Sequence, residues 1–288
     1  MEFAVPIRRA LLNGLRSSTR RAPQPGAIGN HHRLFRRSFA GTANSYHASA
    51  SASKEGSSQE KPFNFEEYFL DSVAAACDET AAFHLSPRQR DGMSKEARGL
   101  ITQLSTASDP PGRVENIQFT AYMVAPYRIL KQEGLPVSQI REILEVATKT
   151  SASFVSDAIR QQLDSSPDPF KHLTDVSRGK EATLYAPPDF KLKHPIDTKD
   201  IYHVEIHQCW YMKALKKLDA TEIGSTFCAF DRTWYDQIDP SRHRVRFARP
   251  TTIADGSDRC RFNFDRVPRE EEGRERKAAE LHEREGST

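Results

Sequence analysis

The sequence predicts an α+β fold, in which N-terminal helices pack on a small, largely antiparallel sheet near the C-terminus. The first observation is a change of hydrophobic period near Asp200, from helical spacing before it to alternation at every second position in several later segments. The second is a glycine-containing turn cluster at 254–258, which separates the last two alternating segments as in a hairpin. Together these patterns predict one domain over residues 62–265.

Four amphipathic segments predict the N-terminal helices. They cover 63–84, 87 to about 104, 114–132 and 137 to about 163. Asn64 has the side chain and position of a helix N-cap, and the two glutamates after it suit the positive end of a helix. Pro126 lies inside the third segment, so we expect a break or kink near Ala125.

The next segment, 165–199, contains five prolines and predicts a loop-like connector packed over the domain surface, in the position of a possible lid. Residues 200–266 then read as strand, helix, helix and hairpin. The expected bounds are 201–208 and 209–218 for the first strand and helix, 221–238 for the second helix, and 244–248 and 260–264 for the hairpin strands.

The two ends of the chain differ from its middle in composition. Residues 1–53 contain eight arginines, no lysine and one acidic residue, which gives a net charge of +7, whereas the rest of the chain carries −4. An arginine- and serine-rich, acid-poor N-terminus is typical of a mitochondrial targeting segment and predicts the matrix as destination. A basic tail that binds RNA or an anionic membrane is the alternative. Residues 54–61 read as a linker and 266–288 as a charged tail.

Several functional classes lack support in the sequence. The acidic balance after residue 53 argues against a general nucleic-acid-binding surface. No stretch approaches the roughly 20 apolar residues that a membrane-spanning helix needs. The chain contains no glycine-rich nucleotide-binding motif, no H-E-x-x-H motif and no G-x-S-x-G motif. We therefore expect no cofactor, no nucleic-acid partner and no transmembrane segment, and the sequence leaves the oligomeric state open.

Three of the four cysteines, Cys209, Cys228 and Cys260, fall in the C-terminal part, whereas Cys77 has the setting of a buried helix residue. The absence of a C-x-x-C pair gives little support for structural zinc, although the three sulfurs and Asp231 would supply four ligands. His203, Glu205 and His207 share one strand face, which is more often a hydrated surface than a metal site. Our prediction is that the chain holds no metal, and that the three cysteines are either inert or functional thiols.

Strand parity and helical spacing predict that five polar residues converge. Cys260 shares a strand face with Phe262 and Phe264, and Arg249 continues the face of Val245 and Phe247. Cys228 and Asp231 lie three residues apart and project together from a helix, while Cys209 lies where a strand becomes a helix. An arginine in this setting needs an anionic partner, either Asp231 or a ligand carboxylate. The aromatic neighbours Trp210, Tyr211, Phe262 and Phe264 are expected in the core.

Five short motifs occur in order along this part of the chain. They are Cys209-Trp210-Tyr211, Cys228-Ala229-Phe230-Asp231, Phe247-Ala248-Arg249, Thr251 to Gly256 and Cys260 to Phe264. As an ordered set they resemble the L-2-amino-thiazoline-4-carboxylic acid hydrolase family, over roughly residues 114–265 and most closely in the C-terminal half. The resemblance implies an α+β domain and a hydrolase acting on carbon–nitrogen bonds other than peptide bonds, or on a related C–S bond.

Ring opening of a thiazoline carboxylate requires a nucleophile at an amidine-like carbon, a group that transfers protons and a cation for the carboxylate. Cys209, Cys228 or Cys260 would attack directly if a neighbouring cation lowered the thiol pKa. Asp231 would alternatively activate water, and Arg249 has the paired donors that bind the small carboxylate-bearing substrate. The opposing hypothesis is a non-catalytic small-molecule-binding or assembly module of the mitochondrion.

Overall fold

The computed structural model of this protein describes residues 64–268. They belong to one compact unit with two hydrophobic cores, one between helices and one between helices and a sheet. The predicted targeting segment 1–53, the linker 54–61 and nearly all of the charged tail 266–288 lie outside the described residues. Those three assignments stay predictions.

Four helices contribute most of the first core, and Leu215, Ile223 and Phe227 from later in the chain complete it. The four helices are α1 (Phe65–Ala81), α2 (Pro87–Leu104), α3 (Pro111–Gln132) and α4 (Val137–Ser151). The predicted cap of α1 is present, since Asn64 Oδ1 accepts a hydrogen bond from the Glu66 N–H at 3.1 Å. Phe69, Val73, Met93, Leu100, Ile143 and Leu144 fill the space between the helices.

Helix α3 continues through Pro126, so a break near Ala125 is ruled out, and the alternative, a kink at that position, stays a prediction. Proline has no N–H to donate, and the helix therefore lacks one backbone hydrogen bond at this turn. The neighbouring side chains Val124, Tyr127 and Leu130 are buried in the first core. Their packing on both sides of Pro126 holds the helix in one piece.

Two predictions for the middle of the chain are also wrong. The fourth predicted helix breaks at Ala152, where φ is −100° and ψ is 9°, and continues as α5 (Ser153–Ser165). The segment predicted as loop-like contains α6 (Pro169–Thr183) and strand β1 (Lys191–Asp197). Its prolines are compatible with both elements, because Pro169 opens a helix and Pro195 lies on an edge strand.

The sheet is antiparallel and has four strands in the order β1-β2-β4-β3, which confirms the predicted fold class. The remaining strands are β2 (Ile201–Gln208), β3 (Val245–Ala248) and β4 (Cys260–Arg266). Val204 pairs with Phe262, Ile206 with Cys260, and Phe247 with Phe264. On the buried face, Tyr202, Val204, Val245 and Phe264 meet Leu163 of α5 and Phe170 and Leu173 of α6.

Short helices cross from β2 to β3. They are α7 (Trp210–Lys217), a 3₁₀ turn (Thr221–Ile223), α8 (Gly224–Ala229), α9 (Arg232–Tyr235) and α10 (Pro240–His243). The single helix predicted over 221–238 is therefore broken into three parts. Cys228 and Asp231 still lie on one turn, because the Asp231 N–H donates to the Cys228 carbonyl at 3.2 Å.

A 3₁₀ turn (Ile253–Asp255) lies in the connection between β3 and β4, and Gly256 follows it with a φ of 89° that favours glycine. None of the described helices has the length and hydrophobicity that crossing a membrane requires.

Candidate functional site

An ion pair between Arg249 and Asp231 lies at the centre of the candidate site. Arg249 follows the end of β3, and its Nη1 lies 3.0 Å from Asp231 Oδ2. The same nitrogen donates a hydrogen bond to the Cys228 carbonyl at 2.9 Å. The guanidinium carbon lies 4.6 Å from the centre of the Phe262 ring, in a cation–π contact. The side chains of Arg249 and Asp231 are only 9% and 18% exposed, so their charges are largely withdrawn from solvent.

One donor of Arg249 remains unused. Its Nε is buried and has no hydrogen-bond partner among residues 64–268. A buried donor without a partner costs about 1–3 kcal/mol, and such a group calls for a specific explanation. An anionic ligand beside Arg249 would satisfy this nitrogen.

The three C-terminal cysteines lie near the ion pair, because the charge of Arg249 acts on Cys228 and Cys260, and Cys209 interacts with both of these thiols. Cys209 precedes α7 as its N-cap residue, Cys228 lies on α8, and Cys260 opens β4. The Cys260 Sγ accepts a hydrogen bond from the Ile253 N–H at 3.2 Å. All five residues that the sequence predicted to converge therefore lie in one neighbourhood, although their role in catalysis stays a prediction.

Burial raises the pKa of each of these thiols. The pKa of Cys209 rises to about 12, although the backbone N–H of Met212 opposes the increase. Burial raises the pKa of Cys228 to about 11 against the opposing charge of Arg249, and it raises the pKa of Cys260 as well. The thiols are therefore protonated at neutral pH in this conformation. A resting thiolate nucleophile would need the opposite shift.

The two charged groups influence one another. Burial raises the pKa of Asp231 above its ordinary value, and the charge of Arg249 opposes part of that increase. Burial lowers the pKa of Arg249, but the facing Asp231 carboxylate raises it, and the net pKa of the guanidinium lies above its ordinary value. Arg249 is therefore a permanent cation, whereas Asp231 is better suited than an exposed aspartate to accept and release a proton.

Aromatic side chains enclose this neighbourhood. Tyr211 packs edge-on against Phe119 and Phe190, with ring centres 6.0 Å and 5.8 Å apart. Its hydroxyl donates to Asn116 Oδ1 at 2.6 Å, and Asn116 Nδ2 donates to the Leu184 carbonyl at 2.8 Å. Tyr211 is thus fixed by packing, as expected. Phe262, by contrast, also contacts the guanidinium of Arg249.

The sequence reasoning did not identify Tyr185 as a site residue. Its ring packs edge-on against Phe190 at 5.1 Å. Burial raises the pKa of the Tyr185 hydroxyl, and the charges of Asp231 and Cys209 raise it further. The residue follows α6 in the segment interpreted as a connector, where no local sequence signal relates it to Asp231.

The polar side chains of β2 already have partners among the described residues. His207 Nε2 lies 2.9 Å from Glu205, and His203 Nε2 lies 3.1 Å from Asp265. Glu205 also pairs with Arg259 at 2.9 Å and with Arg261 at 3.4 Å. Within the described part of the chain, no three histidine, cysteine, aspartate or glutamate side chains are grouped as a metal site requires.

A separate cavity of about 210 Å³ lies where α5 and α6 meet α10 and β4. Its polar lining includes Asp164, Asp168, Arg242, His243 and Arg266. Asp164 pairs with Arg242 and His243, and Asp168 pairs with Arg266. None of the five predicted site residues lines this cavity, and the ion pairs account for these charges without a ligand.

One known protein family matches this chain by sequence. The sequence model of one family, described as L-2-amino-thiazoline-4-carboxylic acid hydrolase, matches residues 115–264. A comparison with curated protein sequences found no match.

Among solved structures, the chain is similar to the Fe(II) unliganded H-NOX protein from K. algicida. That protein is 11% identical, with 71% of this chain and 95% of that chain covered and a TM-score of 0.26. The S. oneidensis H-NOX protein in the Fe(II)NO state is 10% identical, with 70% and 98% covered and a TM-score of 0.26. TM-scores this low do not indicate a shared fold.

Proposed function

The chain belongs to the L-2-amino-thiazoline-4-carboxylic acid hydrolase family, and from this premise we propose that it hydrolyses a small thiazoline-type carboxylate at the Arg249–Asp231 site. The bond broken is a C–S or C–N bond of the ring. The matched residues 115–264 contain all five residues of the proposed site, Cys209, Cys228, Asp231, Arg249 and Cys260.

The observation that carries this proposal is the unused Nε of Arg249. A guanidinium binds a carboxylate best through two parallel N–H donors. Nη1 of Arg249 is engaged by Asp231 and the Cys228 carbonyl, whereas the buried Nε has no partner among the described residues. A substrate carboxylate would provide the missing acceptor and fix the ring next to Asp231.

Water is the nucleophile that the electrostatics favour. The thiols of Cys209 and Cys228 have raised pKa values, with burial as the main cause, so neither supplies a ready thiolate. In this proposal Asp231 takes a proton from water as the water oxygen bonds to the amidine-like carbon. The ring nitrogen then receives the electron pair of the C=N bond together with that proton.

Collapse of the adduct to a carbonyl completes the reaction. Breaking the C–S bond leaves the electron pair on sulfur, which takes up a proton and becomes a free thiol beside a urea group. Breaking the C–N bond instead gives a free amine and a thiocarbamate. Only the product of C–S cleavage carries a free thiol, so a thiol assay distinguishes the two products.

The test is incubation of the purified protein with L-2-amino-thiazoline-4-carboxylate, followed by mass spectrometry and a free-thiol assay of the small molecules. We expect a product heavier by one water. Asp231→Asn should abolish its formation, whereas Asp236→Asn, which removes an exposed carboxylate of α9's C-terminal cap, should not. Wild-type protein that binds the compound and leaves it intact would contradict the proposal.

A non-catalytic binding module is the second candidate, and the protonated thiols favour it. A pocket that binds a carboxylate through Arg249 without an activated nucleophile would retain ligand unchanged. Cys→Ser variants at positions 209, 228 and 260 separate the hypotheses further. Normal turnover in all three would assign the cysteines to packing, and a specific loss of turnover with normal binding in one would identify a nucleophile.

We also propose import into the mitochondrial matrix. The support is the arginine-rich, acid-poor composition of residues 1–53. A fluorescent protein carrying residues 1–53 should enter mitochondria, and the same fusion with its eight arginines changed to glutamine should not. Equal distribution of the two fusions would refute the assignment.

A further inference from the structure

The Tyr185 hydroxyl has no hydrogen-bond partner among residues 64–268, although the residue is half-buried. Its backbone is fixed, because the Tyr185 N–H donates to the Lys180 carbonyl at 2.9 Å. Its ring is held edge-on against Phe190. The phenol therefore has a defined position and an unused polar end.

The surroundings of this hydroxyl are those of the candidate site. The Phe190 ring that holds Tyr185 lies 5.8 Å from the Tyr211 ring, which lies 5.5 Å from Phe227, the neighbour of Cys228. The charges of Asp231, Cys209, Arg249 and Glu115 also act on the hydroxyl. Burial is the main reason that the pKa of Tyr185 is raised, so the group remains a neutral O–H at physiological pH. A neutral phenol both donates and accepts hydrogen bonds.

Three long-range contacts fix the segment that carries Tyr185. Asn116 Nδ2 donates to the Leu184 carbonyl at 2.8 Å, and Gln208 Nε2 donates to the Pro188 carbonyl at 2.8 Å. Arg113 binds Asp189 through Nε at 2.7 Å and Nη2 at 2.5 Å. These contacts anchor the segment to α3 and β2. A side chain that contacts a ligand without reorganisation needs such a fixed backbone.

Tyr211 also packs against Phe190, but its hydroxyl differs from that of Tyr185. Its hydroxyl is already occupied by Asn116 at 2.6 Å. Both rings contact Phe190, but of these two tyrosines it is Tyr185 whose hydroxyl has no partner among residues 64–268. Packing alone would be served equally well by phenylalanine at position 185.

We propose that the Tyr185 hydroxyl contacts the ligand of the Arg249–Asp231 site and donates a hydrogen bond to the ring nitrogen of a thiazoline-type carboxylate. This inference rests on the proposed function and adds a third recognition group to it. Arg249 binds the carboxylate, Asp231 handles the water proton, and Tyr185 orients the ring through its nitrogen. The hydrogen bond strengthens as that nitrogen gains electron density, so Tyr185 acts on turnover as well as on binding.

The experiment compares Tyr185→Phe with Tyr122→Phe in the full-length protein. Tyr122 is also half-buried and has no hydrogen-bond partner for its hydroxyl among residues 64–268, but it packs against Phe65 on α1. Each variant loses one hydroxyl and keeps its ring. Affinity for L-2-amino-thiazoline-4-carboxylate is measured by calorimetric titration, kcat by product formation, and folding by thermal melting.

We expect Tyr185→Phe to bind about three- to tenfold more weakly, the loss typical of one neutral hydrogen bond. Its kcat should fall at least about tenfold, because the bond strengthens in the transition state. Tyr122→Phe should match the wild type in both measurements. Affinity and kcat of Tyr185→Phe within twofold of the wild type would overturn the inference.

The same measurements separate the inference from the proposed function. If the wild type binds the thiazoline without converting it, the hydrolase proposal fails and the affinity of Tyr185→Phe decides the role of Tyr185. If the wild type converts the compound and Tyr185→Phe does so equally well, only the role of Tyr185 fails. Absence of binding by the wild type would overturn both.

Discussion

Asp231 Oδ2 lies 3.0 Å from Arg249 Nη1, and this ion pair joins the turn between α8 and α9 to the residue that follows β3. Both side chains are largely buried, so each depends on the other for compensation of its charge. The same pair carries the proposed chemistry. Substitutions in it should therefore affect stability and ligand binding differently.

Arg249→Lys should weaken binding of the thiazoline carboxylate about ten- to hundredfold while the positive charge is kept. Lysine cannot offer the two parallel donors of a guanidinium, and loss of a charge-assisted hydrogen bond costs about 1.5–3 kcal/mol. Calorimetric titration measures the change. Arg261→Lys, at a partly exposed arginine that pairs with Glu205, is the matched control. Unchanged affinity in Arg249→Lys would remove Arg249 from the site.

Asp231→Asn should lower the free energy of unfolding by about 2 kcal/mol. Removing one partner of a buried pair costs about 3–5 kcal/mol, and the remaining solvent contact of Asp231 reduces that figure. Asp236→Asn breaks an exposed pair with Arg232 and should cost under about 1 kcal/mol. Urea denaturation compares the two variants. Equal stability losses would show that burial does not strengthen the Asp231–Arg249 pair.

The native thiols should react slowly with iodoacetamide at neutral pH. The pKa of Cys209 is raised from 9.0 to about 12 and that of Cys228 to about 11, mainly by burial, so the thiolate fraction is small. Because these pKa values are higher in the folded than in the unfolded chain, the protonated thiols contribute stability that is fully present below pH 9. This contribution to the free energy of unfolding is lost as the pH rises through about 11 for Cys228 and about 12 for Cys209.

Mass spectrometry of alkylated protein from pH 7 to 10 tests the thiol prediction, with urea-unfolded protein as reference. The unfolded chain should be modified rapidly near pH 9, and the native chain should not. Rapid modification of Cys209 or Cys228 in the native state at pH 7 would identify an activated thiol and restore the covalent mechanism.

Gly112→Ala should destabilise the protein by about 1–3 kcal/mol. A Cβ at this position would lie 2.2 Å from the Thr183 carbonyl oxygen, so the start of α3 and the end of α6 would have to separate. Gly99 is the control, because no atom lies within 4 Å of a Cβ built there on α2. Gly99→Ala should stabilise the protein by about 0.5–1 kcal/mol. Thermal melting should therefore show a lower melting temperature for Gly112→Ala and a higher one for Gly99→Ala.

The fold class and the outer elements were predictable because their signals are local. Asn64 caps α1, and Pro87 opens α2 as expected. The parity of β2 and β4 also placed Val204, Cys260 and Phe264 on the buried face. Where an element contains its own start signal and a clear hydrophobic period, the sequence is sufficient.

The middle of the chain was not predictable, because long-range contacts determine it. No glycine or proline marks the break at Ala152. Helix α6 is polar and surrounded by prolines, so its burial depends on Phe170 and Leu173 contacting a sheet formed later in the sequence. Tyr185 was missed for the same reason, since Asn116 and Arg113 of α3 fix the segment that carries it.

The candidate site was partly predictable. Period and spacing brought Cys228, Asp231 and Arg249 together, and the structure places them in one neighbourhood. Period and spacing do not reveal, however, how burial shifts the pKa of a side chain. Burial raises the pKa of the Cys209 thiol, whereas the direct-attack hypothesis requires a lower value.

The pairing of β2 with β4 has a kinetic consequence. Cys209, Asp231 and Arg249 all lie in the long segment that connects the paired residues Ile206 and Cys260. Closing so long a loop costs conformational entropy before any strand contact compensates for it, which makes this the slow kind of folding step. The backbone hydrogen bonds within α1 to α4, by contrast, join residues only four positions apart. During refolding, helical circular dichroism should therefore recover before the ligand-binding pocket, and binding activity would report the moment at which the sheet closes.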